Sequence, residues 1–253
     1  MSLEHLAGLI VERTGPDGCA AVALSGGVDS GLVAAAAHLA LGERAMACTV
    51  VSELTPQRDL ERASAVAAQI GIGHRVLQVQ ALLLPKVQAN RPDRCYHCKC
   101  MVFQTIRDSL GQHCLLLDGT NADDDPARPG LKAVSEFGVF SPLVAAGMTK
   151  GAVRGLAREA GLPNWDAPAD SCLATRIRTG TPLTLGSLSQ VAAMESYLHD
   201  IGLDTVRVHP DNLVATVEYH PQYSEIIDEN RDKIVALALR LGLRSCVFKE
   251  WRE

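Results

Sequence analysis

Short apolar runs alternate with helical patterns over the first two thirds of the chain, and this alternation predicts the fold class. The apolar runs have the length of buried strands and cover residues 20–24, 44–51, 74–79 and 113–117. The segments with helical patterns cover residues 1–12, 31–41, 56–70, 82–89, 96–110 and 150–160. Strands that alternate with helices predict an α/β fold, a parallel sheet with helices on both faces.

The pattern changes after residue 180. A helical segment at 185–201 is followed by two alternating segments, another helical segment and a last apolar run. These later segments cover residues 205–209, 213–219, 224–241 and 244–249. We therefore expect two domains, residues 1–180 and a small α+β domain at residues 181–253.

The first apolar run leads directly into a glycine turn. The turn reads Ser25-Gly26-Gly27-Val28-Asp29-Ser30. Glycines let backbone N–H groups approach an anion closely, and the start of the following helix favours negative charge. Ser25 and Ser30 add hydroxyl donors, and Asp29 can hold Mg²⁺. Since no Gly-Lys-Ser/Thr follows, this predicted phosphate site is not a Walker loop.

A second polar loop follows the strand predicted at 113–117. It begins Asp118-Gly119-Thr120-Asn121 and continues with acids at 123–125. Gly119 can present backbone groups, while Thr120 and Asn121 can hydrogen-bond a base, ribose or substrate. Ligands of open parallel sheets bind at the carboxyl ends of strands, so we expect both loops to form one nucleotide site. For Asp124 and Asp125, a solvated acidic loop is an equal alternative.

Composition and charge exclude several classes of protein. The 253 residues are 47% apolar with a net charge of −5, which argues for a globular protein without a large nucleic-acid surface. No apolar run approaches the roughly 20 residues of a membrane helix, and the N-terminus lacks the basic cluster of a secretion signal. We expect a cytoplasmic protein that binds neither membrane nor nucleic acid and forms a homo-oligomer.

The eight cysteines fall into two groups. Four lie within apolar runs and are predicted to be small, inert core residues, namely Cys19, Cys48, Cys114 and Cys246. The others, Cys95, Cys98, Cys100 and Cys172, have polar surroundings. In a reducing compartment such cysteines are more often metal-binding or catalytic than disulfide-bonded.

Cys95 and Cys98 form a Cys-x-x-Cys pair at a predicted loop-to-helix junction, and Cys172 follows 74 residues after Cys98. The pair alone also fits a redox pair or half of a zinc site. Three thiolates suit a [4Fe–4S] cluster with one iron left open. Cys100 is left out because helical spacing turns it away from Cys98.

The glycine turn resembles the PP-loop of the ATP pyrophosphatases, whose pattern is Ser-Gly-Gly-x-Asp-Ser. Members of that superfamily split ATP between the α and β phosphates and transfer AMP to a carbonyl or carboxylate oxygen. Further matching segments occur in order at residues 92–99, 118–124, 128–130 and 172–177, and also at 150–163 and 206–208. Together they resemble the LarE family, which makes the nickel-pincer nucleotide cofactor of lactate racemase.

The resemblance implies a reaction. ATP, with Mg²⁺, adenylylates a carboxylate of pyridinium-3,5-biscarboxylic acid mononucleotide, and sulfur then displaces AMP to give a thiocarboxylate. In some members a single cysteine gives up its sulfur and becomes dehydroalanine. Cys172 is the matching position in this chain. Members with three cysteines resemble enzymes whose [4Fe–4S] cluster carries an extra sulfide. The three thiols here favour the cluster route, with sulfide or a cysteine desulfurase system as sulfur donor.

The resemblance also implies a pocket for the substrate phosphate. Lys99 and Arg207 match family positions that contact it. His209 stands where the family usually has a second arginine, and a protonated histidine can still bind phosphate, but more weakly and with pH dependence. Arg176, beside the Cys172 segment, can orient a phosphate or lower the pKa of a nearby thiol.

Three other functions remain open. A PP-loop tRNA thiolase would share the chemistry but would need a broad basic surface. An amidating ligase of the NAD-synthetase or GMP-synthetase type would leave Cys95, Cys98 and Cys172 without a role. A non-catalytic nucleotide sensor or zinc-stabilised module would not turn ATP over to AMP.

Overall fold

The structure, a computed structural model, describes residues 1–111, 113–168 and 170–251. The helices are α1 (Leu3–Thr14), α2 (Val28–Leu41), α3 (Gln57–Ile70), α4 (Pro85–Gln88), α5 (Arg94–Leu110), α6 (Pro129–Glu136), α7 (Pro142–Ala145), α8 (Lys150–Glu159), α9 (Leu185–Asp200) and α10 (Ser224–Arg240). The strands are β1 (Ala20–Ala23), β2 (Ala45–Val51), β3 (Gly73–Gln78), β4 (Leu115–Leu117), β5 (Val206–Asp211), β6 (Val214–Tyr219) and β7 (Ser245–Glu250). Short 3₁₀ helices cover Gly42–Arg44, Ala81–Leu83, Leu173–Arg176 and Pro221–Tyr223.

The chain divides into two compact units. The first contains residues 1–81 and 92–169, and the second contains residues 82–91 and 170–253. The chain thus passes from the first unit to the second near residue 170. The short earlier segment at residues 82–91 also belongs to the second unit. A division into folding domains at residue 180 stays a prediction.

A four-stranded parallel sheet forms the centre of the first unit, in the order β3-β2-β1-β4. Successive residues of a strand point to opposite faces. Ala20 and Val22 accordingly pack into one core with α1, α2, α3 and α8, whereas Ala21 packs on the other face with Phe103 of α5 and Ala133 of α6. The predicted α/β fold, a parallel sheet with helices on both faces, is confirmed.

The second unit contains a separate three-stranded sheet in the order β5-β6-β7. β5 and β6 form an antiparallel hairpin, and β7 adds parallel to β6. The two hairpin-turn residues, Asn212 and Leu213, have φ values of 48° and 65°, as a type I′ turn requires. Helices α9 and α10 bury Met194, Leu198 and Ile234 in the core of this unit. The predicted small α+β unit in the C-terminal part of the chain is therefore present.

Cys19 and Cys114 form a disulfide, so the prediction that they are inert core residues is wrong. β1 and β4 pair in parallel with Ala20 opposite Leu115, which places the two preceding cysteines side by side with Cα atoms 4.8 Å apart. The ligand atoms of His113 and these two cysteines lie within 4.8 Å of one another. This group could hold a metal only after reduction, because thiolates are the metal ligands.

The other two apolar cysteines behave as predicted for inert thiols. Burial raises the pKa of Cys48 to about 11 and that of Cys246 to about 11. Neither thiol is therefore readily ionised near neutral pH. Within the described ranges, no helix combines the length and hydrophobicity needed to span a membrane.

Candidate active site

The glycine turn has a conformation that only glycine can adopt at its second position. Gly26 has φ of +87°, and a Cβ there would lie 2.4 Å from the backbone oxygen of Asp59. Gly27 ends the turn with an extended conformation and precedes the first residue of α2. Close packing against α3 therefore fixes the path of the loop from β1 into α2.

The side chain of Ser30 stabilises this loop through hydrogen bonds to its backbone. Its side-chain oxygen accepts a hydrogen bond from the backbone N–H of Ser25 at 3.2 Å and donates to the carbonyl of Gly27 at 3.0 Å. It also lies 3.1 Å from the hydroxyl of Ser25. Because Ser30 is only 4% exposed, its hydroxyl shapes the loop, whereas the exposed Ser25 can face a ligand.

Two residues that sequence reasoning missed support the loop from outside. The side-chain amide of Asn164 donates to the carbonyl of Gly26 at 2.8 Å, and the hydroxyl of Thr49 donates to the carbonyl of Leu24 at 2.8 Å. Both residues are buried. A buried polar side chain needs a hydrogen-bond partner. The sequence could therefore have drawn attention to Thr49 and Asn164, but it did not show which group each of them bonds.

The second polar loop meets the glycine turn, as predicted from the carboxyl ends of β1 and β4. A Cβ on Gly119 would lie 2.6 Å from the backbone nitrogen of Ser30, so the two loops are in direct contact. Asn121 donates from its side chain to Oδ1 of Asp29 at 3.2 Å. The predicted convergence of the two loops is therefore confirmed, while nucleotide binding by Gly119, Thr120 and Asn121 stays a prediction.

Asp118 organises the base of the second loop. This residue is 4% exposed and accepts hydrogen bonds from the hydroxyls of Thr120 and Ser141, each at 2.6 Å. The ammonium of Lys99 lies 3.2 Å from its Oδ2. Lys99, whose side chain is 37% exposed, therefore balances the charge of a buried carboxylate and can still be approached by a ligand.

Lys150 is a site residue that sequence reasoning missed. Its ammonium donates to Oδ2 of Asp29, the carboxylate predicted to hold Mg²⁺. Its backbone N–H donates to Asp123 at 2.8 Å. The start of a helix is an unfavourable place for a cation, and Lys150 is the first residue of α8. A lysine at this position could have been read as a sign of a nearby carboxylate.

The acids after Asn121 shape their own loop. Asp124 accepts from the backbone N–H of Asn121 at 3.0 Å and pairs with Arg128. Asp125 accepts from the backbone N–H of Ala127 at 2.8 Å. Both carboxylates therefore have structural partners within the loop.

The candidate cluster cysteines occupy two different units. Cys95 lies on the first turn of α5 and is exposed, whereas Cys98 lies one turn later and is half-buried. Cys172 is half-buried and directly precedes the 3₁₀ helix Leu173–Arg176 of the second unit. The convergence of the three sulfurs stays a prediction.

Comparison with known proteins decides the family. A family model described as asparagine synthase matches residues 4–102, which include the glycine turn. The chain is 36% identical, over 78% of its length and 73% of the relative, to the pyridinium-3,5-bisthiocarboxylic acid mononucleotide synthase of Lactiplantibacillus plantarum. The chain belongs to the LarE family. A Synechocystis protein named only as uncharacterized is 39% identical over 80% of the chain and 77% of that protein.

In this LarE-family chain, the guanidinium of Arg176 is buried between two carboxylates. Its side chain is 1% exposed, and its nitrogens lie 2.8 Å from Glu195 and 3.0 Å from Asp170. Burial acts to lower the pKa of Arg176, but the hydrogen bonds and charges of Glu195 and Asp170 outweigh it and raise the pKa. A phosphate could reach this guanidinium only by displacing its partners, so the structure gives Arg176 a loop-anchoring role.

The remaining candidate phosphate residues of this LarE-family chain lie on β5. Arg207 and His209 are two residues apart and so lie on the same face of the strand. The guanidinium of Arg207 lies 5.1 Å from the ring centre of Trp251. His209 places Nδ1 3.0 Å from the carbonyl of Arg176 and Nε2 3.5 Å from Glu218. His209 would have to exchange the Glu218 contact for a phosphate.

Proposed function

We propose that the protein is an ATP-dependent sulfurtransferase of nickel-pincer nucleotide biosynthesis. ATP adenylylates a carboxylate of pyridinium-3,5-biscarboxylic acid mononucleotide and releases pyrophosphate. Sulfur then attacks the activated carbonyl carbon, AMP leaves, and a thiocarboxylate remains. The relative from L. plantarum carries the name of a synthase for the corresponding bisthiocarboxylic acid mononucleotide, which supports this choice of substrate.

One observation carries the nucleotide half of the proposal. The Ser25–Ser30 turn and the Asp118 loop meet around Asp29 at the carboxyl ends of β1 and β4. This edge of a parallel sheet is where open α/β folds bind ligands. The exposed Ser25, the backbone of Gly27 and the start of α2 together form a surface suited to phosphate.

Asp29 and Lys150 supply the charge that adenylylation needs. Asp29 is the residue that would hold Mg²⁺, because carboxylate oxygens are preferred Mg²⁺ ligands. Mg²⁺ and the Lys150 ammonium would both stabilise the charge that develops on the departing pyrophosphate. In this structure the ammonium already contacts Asp29, so the acid and the lysine lie within reach of one ligand.

For the sulfur half, Cys95, Cys98 and Cys172 have the chemistry of [4Fe–4S] ligands. None of the three thiols is fully buried, since Cys95 is exposed and Cys98 and Cys172 are half-buried. Such a cluster, with one iron not bound by protein, supplies a site where an extra sulfide can be carried. The sulfur would come from sulfide or a cysteine desulfurase system.

The alternative route uses Cys172 alone. Its thiolate would attack the adenylylated carbonyl to form a thioester and release AMP. Loss of the α-proton and cleavage of the Cβ–S bond would then leave dehydroalanine on the chain and the thiocarboxylate on the substrate. The half-exposed position of Cys172 is compatible with either route.

Lys99, Arg207 and His209 are proposed to bind the substrate phosphate. Lys99 follows Cys98 directly on α5, so a phosphate at its ammonium would lie near a proposed sulfur carrier. Arg207 and His209 present two further donors from one strand face. A small anionic substrate, which needs only a few donors, suits a chain of net charge −5 better than a long polyanion does. Homo-oligomerisation and a cytoplasmic location stay predictions.

Product analysis tests the nucleotide half. The protein is incubated anaerobically with ATP, Mg²⁺ and the mononucleotide, and the products are separated by chromatography. We expect AMP and pyrophosphate, and a strong loss of both in Asp29→Asn. Asp17→Asn, an exposed turn residue, is the matched control. ADP with inorganic phosphate, or no turnover, would overturn the proposal, and thiolated tRNA would favour the tRNA-thiolase alternative.

Metal and peptide analysis distinguish the two sulfur routes. After anaerobic reconstitution, iron and sulfide should bind to the parent and be lost in Cys95→Ala and Cys98→Ala. Cys48→Ala, in the core of the first unit, is the control. Conversion of Cys172 to dehydroalanine during turnover, with no iron requirement, would instead establish the sacrificial route.

A further inference from the structure

The Cys172 segment is held by one buried arginine. The Nη1 atom of Arg176 donates to the carbonyl and hydroxyl of Ser171 at 3.1 and 2.8 Å, and to the hydroxyl of Thr175 at 2.8 Å. Its Nη2 atom donates to Asp170 at 3.0 Å. The guanidinium therefore binds the residues on both sides of Cys172.

Glu195 completes this arrangement from α9. Its two carboxylate oxygens accept from Nε and Nη2 of Arg176 at 2.8 and 3.1 Å, a bidentate contact. The side chains are 6% and 1% exposed, so the pair lies in the interior. A buried carboxylate and guanidinium of this geometry form a strong, orientation-specific contact.

The same carboxylate also reaches β5. Oε1 of Glu195 accepts from the backbone N–H of Val208 at 2.9 Å, between Arg207 and His209. His209 in turn contacts the carbonyl of Arg176 at 3.0 Å. A continuous chain of hydrogen bonds therefore runs from the Cys172 segment to the strand that carries two candidate phosphate ligands.

We propose that Arg176 and Glu195 are positioning residues that hold Cys172 at a fixed place relative to the phosphate-binding face of β5. This inference rests on the proposed function. A substrate bound through its phosphate on β5 would present its activated carboxyl at a set distance from its anchor. The sulfur must meet that carbon at roughly 3–3.5 Å, so a shift of the Cys172 segment would slow sulfur transfer without affecting activation by ATP.

Single-turnover measurements separate the two steps. Pyrophosphate release reports adenylylation, and thiocarboxylate formation reports sulfur transfer. The variants are Glu195→Gln, Arg176→Lys and Arg176→Gln. Asp228→Asn is the matched control, because it also removes a carboxylate from an arginine pair in the second unit, but at the exposed surface of α10.

We expect Glu195→Gln to release pyrophosphate at close to the parent rate and to form thiocarboxylate about 100-fold more slowly, as expected for a misplacement of about 1 Å. Arg176→Lys should recover part of the loss seen in Arg176→Gln, since lysine keeps the charge without the planar fork. A parallel fall of both products would indicate a general folding role and overturn the inference. Unchanged sulfur transfer would overturn it as well.

A second readout needs neither cluster nor turnover. In the metal-free protein, the rate at which maleimide modifies Cys172, followed by peptide mass spectrometry, should rise in Glu195→Gln, while that of Cys95 stays unchanged. Equal rates for Cys172 in parent and variant would contradict the inference. This comparison holds even if the parent releases no pyrophosphate, in which case the proposed function alone has failed.

Ser171→Ala provides a milder variant in case the arginine variants do not fold. It removes one acceptor of Arg176 and the 2.9 Å contact between Ser171 and Thr175. It should show the same selective loss of sulfur transfer, smaller in size. Full sulfur transfer in a folded Ser171→Ala protein, together with an unchanged modification rate of Cys172, would count against the proposal.

Discussion

Asp29 and Lys150 contact each other through a hydrogen bond between the carboxylate and the ammonium, although 121 residues separate them. Asn121 donates to the other carboxylate oxygen at 3.2 Å, so both oxygens of Asp29 have partners. To hold Mg²⁺, Asp29 would have to give up at least one of these contacts, and if it gave up Lys150, the ammonium would be free to contact a phosphate.

Lys150→Met should therefore slow adenylylation. Removing one donor that stabilises developing charge typically lowers a rate by about 100-fold. Pyrophosphate release at saturating ATP and Mg²⁺ measures the effect, and Lys233→Met, an exposed position on α10, is the control. A parent-like rate in Lys150→Met would show that the lysine only balances the charge of Asp29 in the unliganded protein.

Gly26→Ala should destabilise the first unit. The positive φ and the 2.4 Å approach to the backbone of Asp59 together predict a loss of about 3 kcal/mol of unfolding free energy. Gly155→Ala is the matched control, because no atom lies within 4 Å of the added Cβ in α8, and it should stabilise by about 0.5–1 kcal/mol. Urea denaturation of both variants measures the difference, and equal midpoints would contradict the loop geometry.

The Cys19–Cys114 disulfide predicts a dependence of stability on reductant. It closes a segment of 95 residues, and the chain-entropy model assigns such a link up to about 4–5 kcal/mol. Thermal unfolding with and without dithiothreitol should show a lower midpoint for the reduced parent. The Cys19→Ser, Cys114→Ser double variant should be insensitive to reductant.

Peptide mapping provides a direct check. Unfolding in iodoacetamide without reductant should leave Cys19 and Cys114 unmodified and linked, while Cys48 becomes modified. Modification of both linked positions would show that the protein keeps them as thiols. His113 could then join them as a third metal ligand, which zinc titration of the reduced protein would detect.

Local patterns predicted the main features of the candidate nucleotide site. The Ser25–Ser30 turn and the Asp118 loop each follow a short apolar run, and parallel pairing brings the carboxyl ends of such runs together. Helix α6 was not among the predicted helices, although its first residue is Pro129 and proline is common at that position.

Contacts between distant segments could not be predicted in the same way. Asn164 supports Gly26, and Glu195 binds Arg176, but neither partner follows from spacing along the chain. Arg176 was singled out for its place beside Cys172, but the sequence did not show that Asp170 and Glu195 bind its nitrogens. The disulfide was missed because a reducing compartment argues against one, and the register of β1 and β4 was needed to place its cysteines side by side.

His74 connects the pH dependence of stability to the base of the PP-loop. Its Nε2 lies 2.8 Å from the hydroxyl of Thr49, which also bonds the carbonyl of Leu24 just before the loop. Burial lowers the pKa of His74 below its ordinary value of 6.5. As the pH falls through 6.5, His74 is therefore protonated more readily in the unfolded chain than in the folded protein.

The free energy of unfolding should accordingly fall on acidification, because burial opposes the protonation of His74 in the folded protein. The fall should begin near the ordinary pKa of 6.5 and end below the lowered pKa. His74→Gln keeps a side-chain donor for Thr49 but cannot be protonated in this range. Between about pH 7.5 and about pH 5.5, across the usual titration of histidine, the parent should lose more unfolding free energy than the variant in urea denaturation. An equal loss would mean that the other histidines and the carboxylates account for the acid sensitivity, and that the protonation state of His74 does not affect the strand preceding the PP-loop.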